Sequence, residues 1–119
     1  MKKVLIVDDA MVMRMMLRDI LEKNGFEIVG EGKDGLEAEK LFVELKPDVV
    51  TMDISMPNCD GIEGVRRIKK IDNTAKIVMI SALGQKEQVL EAIKSGARDF
   101  IVKPFEETNV INTLKRVCP

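Results

Sequence analysis

The stretch Val49-Val50-Thr51-Met52-Asp53-Ile54-Ser55-Met56-Pro57 is an apolar run of strand length that ends in a carboxylate. Pro57 has no backbone N–H and resists further strand pairing, so the strand closes before it. Asp53 then sits at the carboxyl end of a buried strand. In an open α/β sheet this is the edge where loops converge on a crevice and ligands bind. Asp53 is the candidate reacting residue.

Working outward, residues 3–7, 26–30, 77–80 and 100–102 join 49–52 as short apolar runs, alternating with longer segments of helical period. The runs are nearly continuous in Val, Ile and Leu, without polar alternation. Strands of that kind are covered on both faces, as in a parallel sheet flanked by helices, and right-handed crossovers leave few topologies. The prediction is an α/β fold of five βα units wound on both sides of one sheet.

The first helix is expected over 11–23, with Met13, Leu17, Ile20 and Leu21 inward and Asn24-Gly25 as its stop. Met11, Met13, Met15 and Met16 read as core filling in preference to an adaptable binding surface. The second, 35–45, buries Leu36, Ala38, Leu41, Phe42 and Leu45 and ends at Lys46-Pro47. The third, 62–71, turns Ile62, Val65 and Ile68 inward and leaves Arg66, Arg67, Lys69 and Lys70 as a solvated basic face. The fourth covers 86–94 and stops at Ser95-Gly96. The fifth follows Lys103-Pro104-Phe105 and carries Val110, Ile111, Leu114 and Val117 inward.

Composition narrows the function classes. A chain of 119 residues, 45% hydrophobic and 33% charged, is sized for one globular domain, expected to fill 1–119 with no room for an output domain. No apolar run approaches the ~20 residues that span a bilayer, and Asp8-Asp9 cuts the first run short of a signal-peptide core, so a cytoplasmic protein is expected. Basic and acidic residues nearly cancel, 19 against 20, and aromatics are 3%, which argues against a nucleic-acid groove. Cys59 and Cys118 lack metal-ligand spacing and read as reduced thiols. With no histidine, every Ser-His or Cys-His arrangement is excluded. The chemistry falls to carboxylates, hydroxyls, lysine or a metal.

Polar residues close four of the predicted strands: Asp8-Asp9 the first, Asp53 the third, Ser81 the fourth and Lys103 the fifth. All fall on one edge. Carboxylates crowded at ~4 Å repel by about 4 kcal/mol per pair at an effective dielectric near 20, unless a cation joins them. A divalent cation and Lys103 meet that need, and all-oxygen ligation favours Mg²⁺ over a soft metal. With such charges in place a carboxylate can attack phosphorus, and Ser81 offers a hydroxyl to the product. A cis Lys103–Pro104 bond would aim the lysine into the crevice.

Val7-Asp8-Asp9, Asp53-Ile54-Ser55-Met56-Pro57 followed by Asp60-Gly61, Ser81-Ala82 and Lys103-Pro104-Phe105 together resemble the receiver domains of two-component response regulators, over the whole chain. Asp8-Asp9-Ala10 running into Met13-Arg14 is similar to the stand-alone chemotaxis regulators of that family. The flavodoxin-like strand order 2-1-3-4-5 comes with the resemblance. So do the roles of the residues. The resemblance implies that Asp53 accepts a phosphoryl group from the phosphohistidine of a CheA-type kinase. Mg²⁺ is held by Asp9, Asp53 and the backbone carbonyl of Ser55, with Asp8 acting through water. Ser81 is the switch hydroxyl, Lys103 pairs with the phosphate, and Phe100 is the switch aromatic where enteric relatives have tyrosine. Ser55 and Leu83 flank the attacking water. The implied protein is a monomeric switch rather than an enzyme. Its implied partners are a flagellar motor switch protein or an archaellum adaptor, met by the face of helix four, strand five and helix five, and a separate phosphatase. A receiver from another two-component pathway remains an alternative. A haloacid-dehalogenase-like phosphatase is a distant one, since its first-strand acids are spaced Asp-x-Asp and no separate acid is available here for a leaving group. A flavin mononucleotide carrier would find its phosphate site occupied by Asp8-Asp9.

Overall fold

The computed structural model describes all 119 residues. Five strands, β1 (Lys3–Val7), β2 (Glu27–Gly32), β3 (Val49–Asp53), β4 (Ile77–Ser81) and β5 (Asp99–Val102), alternate with five helices. These are α1 (Met11–Glu22), α2 (Gly35–Leu45), α3 (Gly61–Ile71), α4 (Lys86–Lys94) and α5 (Glu107–Val117). The sheet is parallel throughout, in the order β2-β1-β3-β4-β5. The predicted fold class and strand order are both found.

Successive side chains of a strand point to opposite faces, so the sheet feeds two separate cores. Leu5, Val7, Val50, Met52, Ile77 and Met79 pack with Phe42 of α2, Val65 and Ile68 of α3 and Val89 of α4. Val4, Ile6, Val49, Val78, Ile80 and Ile101 pack with Leu17 and Leu21 of α1 and Val110, Leu114 and Val117 of α5. This two-sided burial is why the strands read as unbroken apolar runs. Each fully buried Val, Ile or Leu contributes roughly 1.5–3 kcal/mol. Helices α2 and α3 start at aspartates, the Asp34 and Asp60 carboxylates accepting the Glu37 and Glu63 N–H groups at 2.9 Å.

Several boundaries and faces differ from the sequence reading. β2 runs to Gly32 rather than residue 30, because a register irregularity at Val4/Leu5 lets Glu31 and Gly32 pair with Ile6 and Val7. β3 and β4 each extend one residue, so Asp53 and Ser81 lie within their strands. Met11 and Met15 are 62% and 61% exposed and Met16 is also on the surface, so these three methionines of α1 do not fill the core, while Met13 is half-buried. Arg14 turns inward in their place. Leu36 is exposed, and Leu41 and Leu45 are only half-buried.

Candidate functional site

The carboxyl edge brings together what the sequence placed at strand ends. Strand β1 stops with the Asp8 N–H donating to Gly32 O at 3.0 Å, and the Asp8 Oδ1 then accepts the Ala10 N–H at 2.8 Å. That turn leaves Asp8 buried and Asp9 exposed at the rim. Asp53, last residue of the central strand, is buried beside it. On the other side, the Lys103 N–H donates to Ser81 O at 2.7 Å, which fixes the lysine where β5 ends. The Lys103–Pro104 bond is cis. Lys103 Nζ reaches Asp8 Oδ2 at 3.2 Å and Asp53 Oδ1 at 3.3 Å, bridging two carboxylates whose chain positions are far apart.

One ammonium does not neutralise three acids. Burial, reinforced by the Asp8 charge, pushes the Asp53 carboxyl up to about 6, and the attraction of Lys103 offsets this only in part. Burial alone would lower the Lys103 pKa, but the Asp53 and Asp8 carboxylates outweigh it and raise it. Carboxylate oxygens of Asp8, Asp9 and Asp53 lie within 4.8 Å of one another. The Ser55 carbonyl, on the loop after β3, accepts none of the loop's backbone hydrogen bonds. Hard oxygen donors with excess negative charge fit a small divalent cation such as Mg²⁺. Ser81 is buried at the end of β4, next to this crevice, whereas Phe100 on β5 points outward, 44% exposed.

The raised Asp53 carboxyl makes a testable stability statement. Its folded value lies above the unfolded one, so the folded chain holds the extra proton between about pH 4 and 6, and stability from this group falls as pH rises through that window. Asp53→Asn removes the cost. At pH 7.5 in EDTA it should stabilise the chain by about 1–2 kcal/mol, the full shift being worth about 3 before allowing for water in the crevice. Urea unfolding at pH 7.5 and at pH 4.5 checks this. The gain should shrink at the lower pH, and an equal gain at both would remove the electrostatic cause.

Three positions at the site carry roles that the sequence reading did not assign, although Arg14 and Gly61 stand within the motifs it quotes. Arg14 Nη1 donates to Asp8 O at 2.7 Å and its Nε to Glu31 Oε1 at 2.8 Å, tying the acidic loop to β2. Burial would raise the Glu31 pKa, but hydrogen bonds from Arg18 and Arg14 hold it lower. The legible signal was period, since Arg14, Leu17 and Leu21 fall on one helical face. Gln85 spans the loops after β3 and β4, accepting from Ala82 N–H and donating to Ser55 Oγ, each at 2.7 Å. Gly61 packs directly against the Asp53 backbone.

This crevice, on a sheet of that order, has known relatives. The response regulator receiver domain family matches residues 4–115, and the chain belongs to that family. Within it, the chain is 56% identical over 116 residues to the chemotaxis protein CheY of Thermotoga maritima, covering 98% of this chain and 97% of that protein. It is 45% identical over 116 residues to CheY of Halobacterium salinarum, covering 98% and 96%. The structure superposes on CheY in the CheX-CheY-BeF3-Mg²⁺ complex from Borrelia burgdorferi with a TM-score of 0.93 at 37% identity, over 98% of this chain and 88% of that one. CheY-like receiver domains are signalling switches. No helix is long and apolar enough to cross a membrane.

Proposed function

We propose that the chain is the phosphorylation-dependent switch of a chemotaxis two-component pathway. An Asp53 carboxylate oxygen attacks the phosphorus of a kinase phosphohistidine, the P–N bond breaks, and the imidazole departs with the electron pair. Lys103, already beside Asp53, pairs with the oxygens of the transferring group, and the Ser81 hydroxyl meets the product. Asp8, Asp9, Asp53 and the Ser55 carbonyl would hold Mg²⁺, which when bound neutralises charge on the phosphoryl group. The observation that carries this reading is the Lys103 bridge between Asp8 and Asp53, inside a three-carboxylate cluster at the carboxyl end of the sheet.

Mass spectrometry after incubation with acetyl phosphate tests it. A phosphoryl adduct should form with Mg²⁺, fail in EDTA, and be absent from Asp53→Asn. An adduct that persists in the variant would sink the assignment.

The same reading sets the lifetime of the phosphoryl group. Leu83, two residues past Ser81, is 83% exposed beside the crevice and cannot hydrogen-bond the attacking water. Self-dephosphorylation should be slow, and Leu83→Glu should speed decay several-fold in a phosphate-release assay. An unchanged rate would count against this role for Leu83.

For output, a groove of about 270 Å³ lies between the loop after β4, α4 and β5, lined by Ser81, Ala82, Val89 and Phe100 among others. Drawing the loop toward a phosphorylated Asp53 makes room for Phe100 to turn inward, remodelling the face of α4, β5 and α5. Phosphorylation favours the partner only as far as it shifts that population. The phosphodonor is a histidine kinase of the CheA type, and the target a flagellar motor switch protein or archaellum adaptor. CheX, held with CheY in the Borrelia complex, supports a further partner that acts on the phosphorylated form.

A further inference from the structure

Gln85 is the N-cap residue of α4, yet its side chain makes no cap bond to that helix. It turns back over the carboxyl edge instead. The chain reverses at Gly84, whose φ of 87° is left-handed and natural for glycine. From there the Gln85 amide uses both of its ends. Its Oε1 accepts the Ala82 N–H at 2.7 Å and its Nε2 donates to Ser55 Oγ at 2.7 Å. One side chain thus ties the loop after β4 to the loop after β3. These loops flank the crevice, because Asp53 is in register with Ile80, and Ser81 and Ala82 follow directly.

Ala82 offers the first backbone N–H beyond Ser81, and in this state that donor is committed to Gln85. A phosphoryl group on Asp53 would bring about −2 charge and three strong acceptor oxygens to the crevice. A bond from an N–H to such an anion is roughly twice as strong as one to a neutral amide. The anion should therefore win the donor. Gln85 is only half-buried, so its released amide can meet water and is not left unsatisfied.

We propose that Gln85 is a latch: it holds the β4–α4 loop in the resting position by occupying Ala82 N–H and anchoring to Ser55, and an anion on Asp53 must displace it to draw the loop inward. This positioning role rests on Asp53 being the phosphoacceptor. It adds a bias that the phosphoryl group has to overcome, and so sets how much of the unmodified chain visits the active arrangement.

Titration of the full chain with beryllofluoride and Mg²⁺, followed by fluorine NMR, separates the two ideas. If the wild-type chain takes up no beryllofluoride, the phosphoacceptor reading falls and the latch with it. If it does, Gln85→Ala should bind the mimic about 3- to 10-fold more tightly, the worth of about one net hydrogen bond. Ser55→Ala, which removes the Oγ anchor and keeps the backbone carbonyl that would face Mg²⁺, should tighten binding less, and the double variant should match Gln85→Ala alone. Amide exchange should quicken at Ala82 and stay unchanged within α4, whose backbone bond from Val89 N–H to Gln85 O is retained. Wild-type or weaker affinity in Gln85→Ala with α4 protection intact would overturn the latch. If α4 loses protection in that variant, Ser55→Ala decides alone, and wild-type affinity there overturns the latch equally.

Discussion

Asp9→Ala is expected to bind Mg²⁺ about 100-fold more weakly than the wild-type chain, a loss of ~3 kcal/mol. Of the three carboxylates gathered at the crevice, Asp9 is the exposed one, and no hydrogen bond within the chain engages its side chain. Its removal therefore leaves the packing of Asp8 and Asp53 alone and takes away one anionic ligand. Asp8 and Asp53 remain bridged by Lys103, so a residual weak site should persist. The titration must be read by NMR or calorimetry, because the chain has no Trp or Tyr. In the wild-type chain the apparent affinity should also fall as pH drops through about 6, where Asp53 takes up its proton. A wild-type-like titration of Asp9→Ala would exclude it as a ligand.

The parts of this molecule that could be read from residues alone are those where two independent rules agree. For β1, β3 and β4, apolar content and run length both speak for buried strands, and each lies within one residue of its predicted bounds. The convergence of the candidate site residues was legible for a related reason. A charged or polar residue at the close of an apolar strand has one place to go, the carboxyl edge, so Asp8, Asp53, Ser81 and Lys103 converge wherever the sheet order brings their strands together. At α1 the rules conflicted. Polarity sends Arg14 outward and the methionines inward, while helical period puts Arg14 on the face of Leu17 and Leu21. Period decided, because the Asp8 carbonyl and the Glu31 carboxylate supply partners for the guanidinium that no local pattern records. The Gln85 bridge was illegible for the same cause: it joins residues 30 apart through a turn whose shape depends on Gly84.

Gly61→Ala is expected to destabilise the chain by about 3 kcal/mol, against the ~1 kcal/mol gain that alanine brings inside a helix. Gly61 opens α3 where the helix crosses the end of β3, and its N–H donates to Ile54 O at 2.8 Å. A Cβ built there stands 1.9 Å from Asp53 O, 2.9 Å from Asp53 C and 3.1 Å from Ile54 Cα. All three are backbone atoms of the central strand and the residue after it, so no side chain can swing aside to make room. Either α3 withdraws from the sheet, uncovering Val65 and Ile68, or the chain at Asp53 moves. Both routes are costly, and the second misplaces the carboxylate that the crevice is built around. Steric exclusion therefore outweighs helix propensity. Urea unfolding should show the loss of stability, and Mg²⁺ affinity measured on the folded fraction should fall about 10-fold or more. Gly32→Ala is the matched control, since its Cβ meets nothing closer than Leu41 Cδ1 at 3.4 Å, an ordinary contact. Should Gly61→Ala prove as stable as the Gly32 variant, with unchanged metal affinity, the close approach of α3 to Asp53 would not be what sets the depth of the site.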